Sequence, residues 1–349
     1  MNRVLNIAVI GFGRMGKIYA QAIDEMDGAC LYAVATMALA SEGDLVADYE
    51  VPHVFDNAEE AFAIDAVDAV VIATPTSTHC RLVLDAAAAG KAIFCEKPMA
   101  LSLNDSRRMI EAVKDAGVPF QIGFMRRYDP SYVEAKALIE AGTIGRPVTF
   151  KGIGRDPFCP RPEFADPAHS GGLIIDMGIH DMDLARWLMN AEVERVTAEG
   201  TTMVCADLKA VGDLDNAVVN LRFENGAIGN VEVSRNAFYG YDIRTEVLGS
   251  KAAVRVGGDE LGPRLLLLPN GESDGDGSYL LQRFGTAYRE QMHDFVSCVR
   301  EDRPPRCTGA DALAAFEISL AASYAAQTGE PVTLNAVRSG WTPSTNSTR

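Results

Sequence analysis

Asp176 and His180 stand four residues apart in Ser170-Gly171-Gly172-Leu173-Ile174-Ile175-Asp176-Met177-Gly178-Ile179-His180-Asp181-Met182-Asp183. On a helix that spacing puts both side chains on one face, one turn apart. A carboxylate next to an imidazole makes a general base, because it orients the ring and stabilises its charged form. Leu173, Ile174, Met177, Leu184, Trp187 and Leu188 add an apolar stripe, so the segment is expected to be a loop feeding a single helix. Taken alone, the pair equally fits a solvated polar face. Asp176, His180 and Asp183 also carry metal-ligand atoms, but no second histidine has helical ligand spacing with His180, and no metal is expected. Asp183 either bonds a substrate hydroxyl or ties down the helix.

Lys97 is the other group suited to chemistry. It lies in Cys95-Glu96-Lys97-Pro98, just past an apolar strand-like run. A lysine at a strand end is either a surface charge or, at the mouth of a ligand cleft, a donor to a substrate hydroxyl. Glu96 beside it could orient the ammonium group.

These groups need elements to hold them. Val4 to Ile10 is a short apolar run, followed at once by Gly11-Phe12-Gly13-Arg14-Met15-Gly16 and then a helical pattern from Lys17 to Met26. A G-x-G-x-x-G turn between a strand and a helix is the signature of a dinucleotide site: one glycine turns the chain, one admits the pyrophosphate, and one packs the helix on the strand. Strands and helices then alternate, with strands at 31–35, 53–55, 68–73, 91–95 and 118–122. Such alternation means a doubly wound parallel sheet, with ligands at the carboxyl ends of the strands. Ala73-Thr74-Pro75 and Glu96-Lys97-Pro98 are two such ends. The acidic residue that often closes the second strand of an NAD site is replaced by Thr36, and no Arg or Lys follows to hold a 2′-phosphate. Glu42 and Asp44 lie farther along. His79 either caps the helix after the fourth strand or lines the nicotinamide side of the cleft, whereas His53 and His293 are expected to be structural or at the surface.

Beyond Ile122 the alternation stops. A helix at 131–141 is followed by strands at 148–153, 196–204, 217–223, 227–233, 244–248 and 252–256, with Glu224-Asn225-Gly226 as a hairpin turn. This predicts an α+β domain with a large open, mostly antiparallel sheet, one face covered by helices and the other free for self-association. Further helices are expected at 286–300 and 310–327. The expected domains are 1–123 and 124–338, with a polar tail at 339–349. The net charge of −16 argues against nucleic acid or an anionic membrane surface as a partner. No apolar run reaches the roughly 20 residues that a spanning helix needs, and the start of the chain leaves no room for a signal peptide. The expected location is therefore cytoplasmic. The seven cysteines show no C-x-x-C pairing and are expected to be reduced core residues.

The glycine turn, Cys95-Glu96-Lys97-Pro98, Gln121-Ile122-Gly123-Phe124-Met125-Arg126-Arg127-Tyr128-Asp129-Pro130 and Asp176-x-x-x-His180 occur in this order and at these separations. Together they resemble the glucose–fructose oxidoreductase, inositol dehydrogenase and rhizopine-catabolism (Gfo/Idh/MocA) family over nearly the whole chain. Tyr239-Gly240-Tyr241-Asp242 and Arg283-Phe284 narrow the match towards inositol 2-dehydrogenases. The resemblance implies an NAD-dependent dehydrogenase, NADP being the other cofactor considered, that oxidises a ring hydroxyl of a cyclic polyol. The first choice of substrate is myo-inositol; scyllo-inositol or a pyranose sugar is the alternative. It implies Lys97, Asp176 and His180 as the catalytic set. His180 would take the hydroxyl proton while hydride leaves the carbinol carbon, Asp176 would orient or tune His180, and Lys97 would stabilise charge developing on the oxygen. Arg127, Asp156, Tyr239 and Tyr241 are the expected polyol contacts beside that set. Gly11 to Gly16, Thr36, Ala73 to Pro75, His79, Glu96 and Lys97 are the expected cofactor contacts. A homotetramer formed through the second sheet is also implied. A non-catalytic nucleotide-binding sensor is the reading from another class, but it would not need Lys97, Asp176 and His180 together.

Overall fold

Leu5–Ile10 (β1) is apolar at nearly every position and buried along its length, which is what a strand covered on both faces requires. In the computed structural model, which describes residues 3–37, 49–257 and 278–343, β1 lies at the centre of a six-stranded sheet. Its partners are Ala29–Ala35 (β2), His53–Phe55 (β3), Ala69–Ile72 (β4), Ala92–Cys95 (β5) and Phe120–Ile122 (β6), in the order β3-β2-β1-β4-β5-β6. Every pairing is parallel. The strand order reverses at β1, the switch point at which ligands bind in such sheets. Helices α1 (Arg14–Asp24), α2 (Ala58–Phe62), α3 (Thr76–Ala88) and α4 (Leu103–Ala116) are the crossovers. Ser102 and Gly117 bound α4 by local chemistry: the serine hydroxyl accepts the Asp105 N–H, and the glycine takes the left-handed conformation (φ +66°) that ends the helix.

The chain forms two compact units, one of residues 1–129 and 281–313, the other of residues 130–280 and 314–349. In the first unit, the segment 281–313 is stitched to the end of the sheet. Gln121 Nε2 donates to the Gln291 carbonyl at 3.0 Å, the Ile122 N–H donates to the Cys307 carbonyl at 3.1 Å, and the Tyr128 hydroxyl donates to Asp294 at 3.0 Å.

The second unit contains a seven-stranded sheet of Pro147–Arg155 (β7), Val193–Thr201 (β8), Asn216–Phe223 (β9), Ile228–Ser234 (β10), Asp242–Gly249 (β11), Ala253–Val256 (β12) and Val332–Thr333 (β13). Its order is β12-β11-β7-β10-β9-β8-β13, antiparallel throughout except for the parallel pair β7 and β10. Glu224-Asn225-Gly226 turns β9 into β10, as the sequence predicted. The period-two pattern is plain in β9, where Ala217, Val219, Leu221 and Phe223 are buried and the residues between them face outwards. Val218, Ile228 and Leu248 stand exposed on that outer face. Helices α5 (Pro130–Glu140), α6 (Pro162–Ala165), α7 (Pro167–Ser170), α8 (Gly172–Asp176), α9 (Ile179–Met189), α10 (Ser278–Glu301), α11 (Gly309–Thr328) and α12 (Leu334–Arg338) complete the chain order, most of α10 and the start of α11 belonging to the first unit.

Two expectations need correction. The segment carrying Asp176 and His180 is not one helix. The Met177 and Gly178 N–H groups both donate to the Leu173 carbonyl, at 3.0 and 3.3 Å. The second of these spans five residues instead of four, and this widened turn splits α8 from α9. Nor are all the cysteines reduced. Cys159 and Cys205 form a disulfide, their Cα atoms 5.6 Å apart across a sequence separation of 46. Cys30, Cys80, Cys95, Cys298 and Cys307 take no part in a disulfide among the described residues. Pairing depends on where folding delivers the two Cα atoms, and cysteine spacing carries no such signal at this distance. Glu42, Asp44 and the last six residues of the polar tail lie outside the described residues.

Candidate functional site

In the first unit, the glycine turn leaves β1 and enters α1. Gly11 has φ +90° and lies against Ala73 and Thr74 at the end of β4. A Cβ on Gly16 would come within 1.9 Å of the Gly11 carbonyl oxygen, so only glycine lets α1 approach the turn this closely. Gly13 is different. Its φ is −68°, and a Cβ there would meet no protein atom within 4 Å. Gly13 is also the N-cap of α1 and offers no side chain to the first-turn N–H groups, in contrast to Ser102 on α4. Open space over uncapped amides at a helix start is the cradle that a pyrophosphate needs. These residues fit a dinucleotide. Phe12 is buried beneath the turn, while Arg14 is exposed at its rim. Thr36 is buried just past β2, with its N–H donating to the Phe55 carbonyl at 3.0 Å.

His79 clamps the ends of β4 and β5. Its Nε2 lies 2.9 Å from the Thr74 carbonyl oxygen, and its Nδ1 lies 3.0 Å from that of Pro98. The ring is buried, and burial pushes its pKa below the usual histidine value. The Lys97–Pro98 peptide is cis, and Lys97 is half-buried. The Glu96 carboxyl is buried. It accepts the Tyr19 hydroxyl and, at 2.9 Å, the Lys97 main-chain N–H. The Tyr19 oxygen in turn accepts from Gln291 Nε2 at 2.9 Å. Burial raises the Glu96 pKa, with the Tyr19 bond and the Lys97 charge opposing the rise. Glu96 thus joins α1, the end of β5 and α10 within this unit. Arg127 is buried there too, paired with Asp311 at 3.1 Å and donating to the Arg306 carbonyl at 3.3 Å.

In the second unit, Asp156 and Asp176 are held at the ends of β7 and β10. The Asp156 N–H donates to the Ser234 carbonyl at 2.9 Å, and its own carbonyl accepts the Ala237 N–H at 2.9 Å. Asp176 ends α8 and lies 3.4 Å from the Arg235 guanidinium. His180, in the first turn of α9, is buried, as are Asp181 and Asp183. α9 packs on β7 at Gly152, where a Cβ would sit 2.9 Å from Asp181 Oδ1. The Tyr239 hydroxyl donates to Asp242 at 2.7 Å and accepts from Arg155 at 2.7 Å. Its pKa is raised by burial and by that carboxylate. Tyr241 packs against the Tyr279 ring, with centroids 4.8 Å apart. Among the described residues, no group of three His, Cys, Asp or Glu side chains could hold a metal ion.

Sequence reasoning missed Tyr19, Gln291, Asp213 and Arg235. One signal was available for Arg235: a charged residue directly after the alternating strand Ile228–Ser234.

Residues 5–124 match the oxidoreductase family with an NAD-binding Rossmann fold, and residues 132–255 match the GFO/IDH/MocA C-terminal domain. The chain is 37% identical over 339 residues to scyllo-inositol 2-dehydrogenase (NAD(+)) of Bacillus subtilis, covering 97% of this chain and 98% of that one. It is also 37% identical over 336 residues to myo-inositol 2-dehydrogenase of Thermotoga maritima, covering 95% and 99%. The solved scyllo-inositol dehydrogenase of Lactobacillus casei, with bound NAD(H) and scyllo-inositol, superposes with a TM-score of 0.86 at 28% identity, covering 95% of this chain and 100% of that one. With two matched domains and relatives spanning its length, the chain belongs to the GFO/IDH/MocA family of NAD-binding oxidoreductases.

Proposed function

We propose that this protein is an NAD-dependent dehydrogenase that oxidises one ring hydroxyl of an inositol to the ketone. The carrying observation is full-length similarity to inositol 2-dehydrogenases in a chain whose own glycine turn leaves an uncapped helix start open to a pyrophosphate. Bound NAD supplies the hydride acceptor. The chain supplies the acid–base chemistry: His180 takes the hydroxyl proton, Asp176 orients the imidazole and favours its charged form, and Lys97 donates to the substrate oxygen as negative charge develops there. Asp156, Tyr239 and Tyr241 are proposed polyol contacts. Arg127 belongs to the same proposal, although its guanidinium is already engaged by Asp311.

The preferred substrate in this reading is myo-inositol, giving 2-keto-myo-inositol. Scyllo-inositol is the second reading, favoured by the equally similar Bacillus subtilis relative. A cytoplasmic homotetramer is part of the proposal, supported by Val218, Ile228 and Leu248, which are exposed on the outer face of the seven-stranded sheet. A turnover screen of inositol isomers and aldoses with NAD and NADP tests the reading, and no turnover of any cyclic polyol would overturn it. Lys97→Ala and His180→Ala should each lower kcat by about 100-fold or more while leaving NAD affinity within about threefold. Normal rates in both variants would sink the site assignment.

A further inference from the structure

Arg235 comes directly after β10, and its side chain is only 3% exposed. One arm of the guanidinium, Nη1, is paired with Asp213, whose side chain is equally buried. The other arm, Nη2, lies 3.4 Å from Asp176 Oδ2. Asp176 is the exposed member of the three, with 36% of its side chain accessible. The second oxygen of Asp213, Oδ1, accepts the Leu173 N–H at 2.9 Å, in the first turn of α8. A Cβ on Gly172 would lie 2.6 Å from that same oxygen, so the carboxylate is pressed against the start of the helix. The two ends of the five-residue helix α8 are therefore held by one ion pair: Asp213 grips Leu173, and Arg235 reaches Asp176. The main chain of Arg235 is anchored as well, its N–H donating to the Asp215 carbonyl at 2.9 Å. The Asp215 side chain accepts the Val204 and Cys205 N–H groups at 2.6 and 2.8 Å.

We infer that Arg235 and Asp213 are positioning residues for the reaction: the buried pair fixes α8 and, through the free arm of the guanidinium, sets the orientation of the Asp176 carboxylate. The inference rests on the reading of Asp176 as the partner of His180. A planar guanidinium suits the task because its donors lie in a rigid fork, and two carboxylates can be addressed at a fixed angle. A pair serving stability alone would be complete with Asp213. The second arm is directed instead at a half-exposed carboxylate, and a surface contact of that kind adds little to stability. Burial raises the Asp213 pKa, and the Arg235 charge and the Leu173 and Leu214 N–H donors oppose the rise.

The test uses Arg235→Gln, Arg235→Lys and the double variant Asp213→Asn with Arg235→Gln. The double variant leaves no buried charge unpaired if the single substitution fails to fold. Each is assayed with NAD and an inositol, protiated or deuterated at the reacting carbon, and followed by hydrogen exchange of residues 172–178. The expected result is a folded variant with kcat lowered at least tenfold, KM and NAD affinity within about threefold, a larger primary isotope effect and faster exchange in that segment. The lysine variant should recover at least threefold of the kcat lost in Arg235→Gln. Folded variants with kcat within twofold of the parent, or an unchanged isotope effect, would overturn the inference. Failure of every variant to fold would assign the pair to stability alone and overturn it equally. If the parent turns over no cyclic polyol, the proposed function fails instead, and the exchange measurement still reports whether the pair holds α8.

Discussion

Gly13→Ala separates cofactor binding from folding, and its neighbour in the motif provides the control. At Gly13 the backbone has φ −68°, which alanine adopts without strain, and the added methyl meets no protein atom within 4 Å. Replacing glycine by alanine at an N-cap costs up to about 1 kcal/mol, so Tm should fall by at most about 4 °C in a unit of this size. The methyl does protrude into the open space at the start of α1, where the amides carry no side-chain cap. A pyrophosphate pushed away from them loses charge-assisted hydrogen bonds worth about 1.5–3 kcal/mol each. The loss of one or two predicts NAD affinity weaker by roughly 10- to 10,000-fold. Gly16→Ala should do the opposite. Its methyl would sit 1.9 Å from the Gly11 carbonyl oxygen, so α1 must lift off the turn and the first unit should unfold at lower temperature. The assay is calorimetric titration with NAD alongside thermal unfolding of both variants. Gly13→Ala binding NAD like the parent while fully folded would refute the placement of the pyrophosphate.

Two further outcomes follow from His79 and from the disulfide. With its pKa depressed in the folded state, His79 makes the unfolded chain bind more protons just below the unfolded pKa of about 6.5. Its contribution to stability is therefore full above about pH 6.5 and is lost as pH falls below that value, at no more than about 1.4 kcal/mol per pH unit. Between pH 7.5 and 5.5 the parent should lose stability faster than His79→Gln, and parallel profiles would show that the ring titrates normally. Closing the 46-residue loop between Cys159 and Cys205 should stabilise the second unit by up to about 4 kcal/mol. Urea unfolding with and without reductant, or of Cys159→Ser, reads that difference; identical midpoints would mean that the bond does not form in solution.

What was legible in the sequence was local. Leu5–Ile10, the glycine turn and α1 follow one another with no intervening loop, and their identities depend only on apolar runs, turn chemistry and helix start signals. The same holds for the alternation in Asn216–Phe223 and for the hairpin at Glu224-Asn225-Gly226. Local spacing also marked Asp176 with His180 and Lys97 after its strand as groups of chemical interest.

The partners of those groups were decided by the tertiary structure. Arg235 meets Asp176 across 59 positions, and Tyr19 meets Gln291 across 272. No pattern of period two or 3.6 reaches that far. The break between α8 and α9 was also invisible to periodicity, because Met177 continues the apolar pattern while its N–H and that of Gly178 converge on a single carbonyl. The Cys159–Cys205 bond belongs to the same class: side-chain chemistry names groups able to react, but only the folded chain brings their atoms within bonding distance. Sequence alone therefore determined most of the elements and the chemical character of the candidate site residues, and the tertiary structure chose which buried charges and hydrogen bonds hold those residues in place.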